Sequence, residues 1–595
     1  MRLKTSCFDK VLLKKNLVRF APVWAGYLLF LLLVLAVQAG SGSDYYFVDD
    51  FTSLFPEMAA FNLVFALIVV QAVFGDLYSP RICYTLHALP VRRFGIYGAG
   101  LITGLLCSLI PTAVMALIAA PLLARAPVAD AGWLALYWWV CAGGQYLFFF
   151  GSGVCCAMLA GNRLGQAGLY AMVNLGGVVA YGLADTAFTP LLYGVLTPSA
   201  PYTRFSPAVY IMDIWNFISM KSWEVQIGPD EWTVEGSYTL GQGWDYILVI
   251  AVIGGILLIA GWLLYRRRNL EAAGDFLAVK ALEPVCLSCL SLTVGTLACD
   301  AGRHAVVDLG LPFLAVGMVI GWLAGRMLLE RSVRVFRPAA FRGLALLAAA
   351  VAIALGMTKI DVLRIDDRIP DASQIETVLI DIIPVEEKNI QTALQLHSHA
   401  LTDRWDGNED VPYVVRDLTY QLKNGSTIRR RYSIPVDSEA GSKARLLGSS
   451  IPYLFRYQIG KMDDPAFSAT WENDFPTAKT LLALSDTPIS ISVGDQYIPA
   501  ELLTKESVDL LLNAVIADSE EGNLGPSVFH PSYPMPDGET RAPCGSLEII
   551  LPPAGEYTRL NVTVFQDSTH TLEALDKLGI TWDSIREYYE AGYSG

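Results

Sequence analysis

The sequence predicts a polytopic α-helical membrane protein of about nine transmembrane helices followed by a soluble α+β domain. Three observations carry this. Hydrophobic residues make up 53% of the 595 and charged ones only 17%, where a soluble chain carries about 25% charged. Mean hydropathy is positive, at +0.42. Apolar runs long enough to cross hydrocarbon recur between residues 21 and 357 and stop there.

Taken in order, the apolar runs fall at 21–40, 58–74, 97–124, 133–159, 164–183, 246–264, 284–299, 306–329 and 343–357. The seventh and ninth are short for a span. Lys and Arg collect at 2–19, 81–93, 163, 266–280 and 331–342, which are alternate connections, whereas 41–57, 125–132, 184–245 and 300–305 are poor in them. The positive-inside rule then places the N-terminus in the cytoplasm and the C-terminal domain outside the cell membrane. The basic start leads into an apolar run of span length with no A-x-A-like exit, so the first helix is expected to stay as an anchor.

Four regions follow: 1–20, an interfacial helix; 21–265, six spans; 266–357, a cytoplasmic segment and about three further spans; and 358–595, the external domain. The first is amphipathic, with Phe8, Leu12, Leu13, Leu17 and Phe20 at helical spacing and Lys10, Lys14, Lys15 and Arg19 elsewhere. The net charge of −14, concentrated in the C-terminal part, argues against nucleic acid as a partner. Cys107, Cys141, Cys155, Cys156, Cys286 and Cys289 lie in apolar runs and Cys544 in the soluble part, so no disulfide framework is expected.

Two strings stand at the basic connections. After the second run comes Gly75-Asp76-Leu77-Tyr78-Ser79-Pro80-Arg81, then Leu86-His87-Ala88-Leu89-Pro90-Val91-Arg92-Arg93. After the sixth comes Tyr265-Arg266-Arg267-Arg268-Asn269-Leu270-Glu271-Ala272-Ala273-Gly274-Asp275. With the interfacial helix before them, these resemble permease subunits of bacterial ATP-binding-cassette (ABC) transporters of the type-2 exporter superfamily, over roughly the first 280 residues.

The resemblance implies that Arg81, His87, Leu89, Pro90, Arg92 and Arg93 belong to a segment coupled to the ATPase, and that Arg268, Glu271, Gly274 and Asp275 form a cytoplasmic boundary motif. It also implies ABC ATPase subunits and a second permease copy or related subunit as partners. The chain has no G-x-x-x-x-G-K-[ST] loop. It is therefore read as a transporter subunit rather than an enzyme, binding no cofactor itself, with ATP and Mg²⁺ on the partner ATPase. The three added spans and the external domain depart from the six-span pattern of the family.

Other candidates have plainer readings beside them. Asn62, Gln71, Gln145, Asn174, Asp185 and Asp308 lie in or near the spans; Asn62, Gln145 and Asn174 fit a substrate path, and equally fit hydrogen bonds between helices. Asp49 and Asp50 in the first external loop are similar to the loop acids of polytopic glycosyltransferases, which is the alternative function, and a third reading is a non-transporting sensor coupled to an ABC ATPase. Cys286-x-x-Cys289 has zinc-like spacing but lies in an apolar run without a second pair. His397 and His399 fall on different faces of a helix, and no G-x-S-x-G or H-E-x-x-H signature is present.

Beyond residue 358, strand-like runs at 377–383 and 546–551 alternate with helical runs at 388–401 and 503–516. Residues 418–421 and 428–434 flank Asn424-Gly425 and predict a hairpin, with Arg429, Arg430 and Arg431 alternating across its second strand and balancing nearby carboxylates. Residues 571–589 predict a closing amphipathic helix bearing Leu572, Leu575, Leu578 and Ile585.

Overall fold

The computed structural model describes residues 10–40, 44–88, 91–126, 128, 130–196, 205–213, 218–228, 231–240, 244–305, 309–381, 383–405, 411–454, 490–493, 496–497, 504–526, 543–551 and 558–579. The chain folds as two units, Met1–Phe188 with Pro198–Gly356, and Thr189–Thr197 with Met357–Gly595.

The first unit is helical: α1 (Lys10–Arg19), α2 (Ala21–Gln38), α3 (Asp44–Val73), α4 (Pro80–His87), α5 (Arg93–Leu123), α6 (Leu134–Leu159), α7 (Arg163–Leu183) and α8 (Pro207–Asp213). An antiparallel ribbon follows, β1 (Ile218–Gly228) and β2 (Glu231–Leu240), then α9 (Trp244–Arg267), α10 (Glu283–Ala305), α11 (Gly310–Glu330) and α12 (Arg342–Lys359). Among the described residues, nine helices are long and apolar enough to cross a membrane: α2, α3, α5, α6, α7 and α9 to α12. They coincide with the nine apolar runs of the sequence. These are the features of a multi-pass membrane protein.

Differences concern the ends. The helix of the second apolar run begins at Asp44, and its candidate span at Phe47, rather than near Met58, because the connection continues the helix through Pro56. The sequence pattern marked 184–245 only as a connection poor in basic residues, and the structure puts the β1–β2 ribbon within it. Of the interfacial helix, Phe8 lies outside the described residues; Leu12, Leu13 and Leu17 are half-buried, Phe20 is buried, and Lys14, Lys15 and Arg19 are exposed.

The core is built around α6, whose Trp138, Tyr146, Phe149 and Phe150 are fully buried. Against it α9 comes so close that a side chain on Gly151 would meet the Gly254 carbonyl, a contact only small residues allow. By contrast α12 packs by one edge and leaves most of its surface to its surroundings.

The second unit holds two antiparallel sheets. One is ordered β4-β3-β5-β6, from β3 (Ile375–Ile380), β4 (Ile383–Pro384), β5 (Tyr413–Leu422) and β6 (Thr427–Pro435), with α13 (Ile390–Thr402) and α14 (Glu439–Gly448) over its buried face. After α15 (Ile451–Leu454), the other is ordered β8-β7-β10-β11-β9, from β7 (Ser490–Val493), β8 (Gln496–Tyr497), β9 (Leu524–Pro526), β10 (Pro543–Leu551) and β11 (Thr558–Phe565), with α16 (Lys505–Glu521) and α17 (Thr569–Lys577). This is the small antiparallel α+β architecture expected from the alternation of strand and helix patterns.

The β5–β6 hairpin turns at Gly425, with φ +78°, and Asn424 Oδ1 accepts the Ser426 N–H at 2.9 Å. Arg429 and Arg431 point outward, and Arg431 pairs with Asp417. Arg430 points inward and donates to the carbonyls of Ile365 at 2.6 Å and Arg368 at 3.5 Å, so peptide oxygens rather than a carboxylate satisfy it. Of the predicted closing helix, Thr569–Lys577 is helical and bears Leu572 and Leu575, but it ends before Leu578, where the chain turns at Gly579 with φ +77°; Ile585 lies outside the described residues.

Thr189–Thr197 belongs with this unit although it follows α7 in the chain. Its Val195 makes an isolated bridge to Arg430, and Arg431 donates its N–H to the Gly194 carbonyl at 2.9 Å, which ties the segment to the outer side of β6. Gly194 has φ +65°, and a side chain there would enter the Tyr432 ring.

Candidate functional site

The two strings singled out in the sequence meet in the structure. Pro80 at the first position of α4 pre-sets its backbone for a helix. The helix is amphipathic over two turns: Cys83 is buried and His87 half-buried, whereas Arg81, Ile82, Tyr84, Thr85 and Ala88 are exposed. Burial pushes the Cys83 thiol above its ordinary pKa, marking the apolar side of α4.

What holds α4 comes from far along the chain. His87 Nδ1 lies 2.8 Å from the Cys83 carbonyl and Nε2 lies 2.8 Å from the Tyr265 hydroxyl. A carbonyl only accepts, so Nδ1 carries the proton; in the neutral ring Nε2 then accepts from the phenol. The Tyr265 ring in turn stacks on Tyr97 with centroids 5.6 Å apart and planes within 23°.

Arg268 is the second tie. Its Nη1 donates to the carbonyls of Ala157 at 2.6 Å and Met158 at 3.1 Å, and Nη2 donates to Leu77 at 3.4 Å. Ala157 and Met158 lie in the last turn of α6, whose carbonyls lack helical partners and carry the negative end of the helix dipole. Burial lowers the pKa of Arg268, yet a guanidinium keeps its proton, so a charged group caps α6 and grips the turn before α4. Within the boundary string Arg268 turns inward, whereas Arg266, Arg267, Glu271 and Asp275 are exposed.

The loop after Arg268 is locked by a short antiparallel pairing with the α6–α7 turn. Gly274 donates to the Gly161 carbonyl at 2.8 Å, Gly161 to Phe276 at 3.3 Å and Ala278 to Leu159 at 2.8 Å. Gly274 takes φ +97°, and side chains on Gly161 or Gly165 would meet the carbonyls of this loop. Asn162 caps α7 by accepting the Gly165 N–H at 2.7 Å.

From the other side Arg19 of α1 reaches Asp76 in two parallel contacts, Nη1 to Oδ2 at 3.1 Å and Nη2 to Oδ1 at 3.2 Å. Arg92 and Arg93 are exposed, and Arg93 Nη1 donates to the Arg266 carbonyl at 3.3 Å. Leu89 and Pro90 lie outside the described residues. Thus α1, the α3–α5 connection, the α6–α7 turn and the segment after α9 form one junction, with the exposed face of α4 on its surface. Leu77 and Tyr265 stand in the two strings without a role assigned to them, and Gly161 and Phe276 carry no mark in the sequence beyond the Gly161-Asn162-Arg163 turn between two spans.

The polar residues within the bundle form separate bonds. Asn62 Nδ2 donates to the Ala142 carbonyl at 3.0 Å and Gln145 Oε1 at 3.4 Å, while Gln145 Nε2 donates to Phe55 at 3.1 Å, tying α3 to α6. Asn174 Nδ2 donates to Tyr170 at 2.9 Å and Ser152 at 3.4 Å; its buried Oδ1 meets no donor among the described residues. Gln71 donates to the Arg163 carbonyl at 3.1 Å, Asp185 is exposed, and Asp308 lies outside the described residues.

Asp49 and Asp50 stand on α3 rather than in a loop, and consecutive helical positions diverge by about 100°. Cys286 and Cys289 lie on α10. His397 is buried, with Nδ1 3.1 Å from the Tyr420 hydroxyl, and His399 pairs with Glu439 at 3.0 Å, so the two occupy different environments.

Among the described residues Asp518, Glu521 and His570 have ligand atoms close enough for a metal. Asp518 instead accepts the N–H groups of His570 at 3.2 Å and Thr571 at 2.6 Å, which makes it the cap of α17. Comparison with protein-family models, with curated proteins and with solved structures finds no match to this chain.

Proposed function

We propose that this chain is a permease subunit of an ABC transporter, exporting a substrate across the cytoplasmic membrane with ATP hydrolysed by separate ATPase subunits. One observation carries the reading: α4 is clamped from beneath by His87, Tyr265 and the turn gripped by Arg268, while its outer face presents Arg81, Ile82 and Tyr84. A short rigid helix with a mixed cationic and apolar face suits a docking element, because force applied to it passes into α6 and α9 without dissipating in a loose loop. A second copy or a related permease would complete the assembly, with the second unit outside the cell.

The test is affinity purification of the tagged full chain in mild detergent with mass spectrometry of what it retains. The proposal expects an ATPase bearing a G-x-x-x-x-G-K-[ST] loop, retained by the wild type and lost from the Ile82→Asp/Tyr84→Asp variant. An intact chain that retains no such protein overturns it.

One observation also favours a sensor version of this function. Helix α7 starts at the junction, beside Gly161 and Phe276, and the chain continues through Ala184–Phe188 to Val195, which bridges Arg430 of the second unit. A ligand bound by that unit would thereby bias the junction. Ligand-stimulated ATPase activity without vesicle flux supports the sensor, and flux supports transport.

A further inference from the structure

A groove of about 650 Å³ runs along α7 between that helix, α10 and α11, within the roughly 300–1,000 Å³ of small-molecule sites. Leu164 and Leu183, at the two ends of α7, both line it, so it extends over the full height of an apolar helix. Its wall offers almost nothing to a polar ligand: the Thr293 hydroxyl already donates to the Cys289 carbonyl at 2.7 Å, and the thiols are weak partners. Along α7 the floor is open, since no atom lies within 4 Å of a side chain built on Gly168 or Gly176. A surface of this chemistry at membrane depth accepts hydrocarbon.

A second observation specifies the head that such a chain carries. The last turn of α11 lines the groove through Leu328 and Leu329, and the helix ends where Arg331 turns left-handed at φ +49°. Arg331, Arg334 and Arg337 then follow at intervals of three, all exposed, with Val333 at 73% and Phe336 at 67% exposure between them. Among the described residues none of these three arginines pairs with a carboxylate, whereas the nearby Arg326 holds Glu330 at 2.6 Å. Unpaired guanidinium groups interleaved with exposed apolar side chains, at the end of a hydrocarbon groove, match an anionic amphiphile.

We propose that the groove binds an acyl chain of an anionic membrane phospholipid, whose phosphate is held by Arg331, Arg334 and Arg337. The groove meets the junction at Gly165 and Phe276, and lipid binding there requires no transported substrate.

Native mass spectrometry of the full chain in mild detergent tests this, with phosphatidylglycerol and phosphatidylcholine of identical chains as probes. The wild type is expected to retain phosphatidylglycerol several-fold more than phosphatidylcholine. Arg331→Gln/Arg334→Gln/Arg337→Gln should abolish that preference, and Gly168→Leu/Gly176→Leu, which fills the groove from α7, should abolish retention of both lipids at unchanged thermal stability. Equal retention of the two lipids by the wild type, or wild-type retention by the folded groove variant, overturns the proposal. So does a wild-type dimer that the groove variant converts to monomer, since the groove would then seat a second copy. Should the groove variant fail to fold, the arginine variant, altered only outside the helices, decides the question.

Discussion

The His87 imidazole and the Tyr265 hydroxyl, 178 positions apart, meet at 2.8 Å and join the helix after the second span to the end of the sixth. Because Nδ1 is committed to the Cys83 carbonyl, the phenol is the donor in the neutral pair. His87→Ala and Tyr265→Phe should therefore be coupled by about 1 kcal/mol in a double-mutant cycle. Chemical denaturation of the full chain in detergent measures the coupling, and hydrogen exchange over residues 80–88 should rise as much in either single variant as in the double. Additive effects would show that the contact does not hold α4.

Arg268 should be the most sensitive residue of the junction. Replacing it with Met deprives the carbonyls of Ala157, Met158 and Leu77 of their donor and leaves the end of α6 uncapped. A loss of about 3 kcal/mol is expected, from several charge-assisted bonds broken at a buried site. Arg268→Lys should recover less than half, since one ammonium cannot reproduce the fork. Thermal unfolding of the three proteins checks the order.

Gly161→Ala and Gly165→Ala should each force residues 274–278 away from the α6–α7 turn, because the added methyl would meet loop carbonyls. The expected sign is an increase in protease cleavage within 269–280 and lower thermal stability. Gly168→Ala, one turn along the same helix and facing open space, should leave both unchanged.

The second unit carries a pH dependence of its own. Burial, with Arg430 adding to it, lowers the His397 pKa from 6.5 to about 4. In the unfolded chain this imidazole takes up a proton near pH 6.5, whereas the folded one resists until about 4. The unfolded state thus binds more protons below pH 6.5, so stability falls as pH drops, by about 3 kcal/mol once both forms are protonated. Denaturation from pH 7.5 to 4 should show this slope, and His397→Gln should flatten it.

Much of this architecture was legible in the sequence, because the bilayer imposes apolar length and the hairpin declares its turn through Asn424-Gly425. What was hidden depended on contacts distant in sequence. Nothing local in Tyr265 or Leu77 marks them as partners of His87 and Arg268. Arg268 is the third of three consecutive arginines, and only packing distinguishes it from its exposed neighbours Arg266 and Arg267. Thr189–Thr197 reads as an ordinary connection until its pairing with Arg430 and Arg431 assigns it to the second unit. Asp44 to Glu57 reads as a loop by its acids, whereas the apolar helix that follows extends back through them.

The docking role of α4 has one direct measurement. Tyr84, half exposed on the outer face of α4, can be replaced by a photoreactive amino acid, Tyr84→p-benzoylphenylalanine, in cells producing the full chain, with Tyr413→p-benzoylphenylalanine in the second unit as control. Irradiation should join position 84, but not 413, to a protein carrying a G-x-x-x-x-G-K-[ST] loop. An ATPase captured at 413 and not at 84, or none captured at 84 by a stably produced chain, would contradict the assignment.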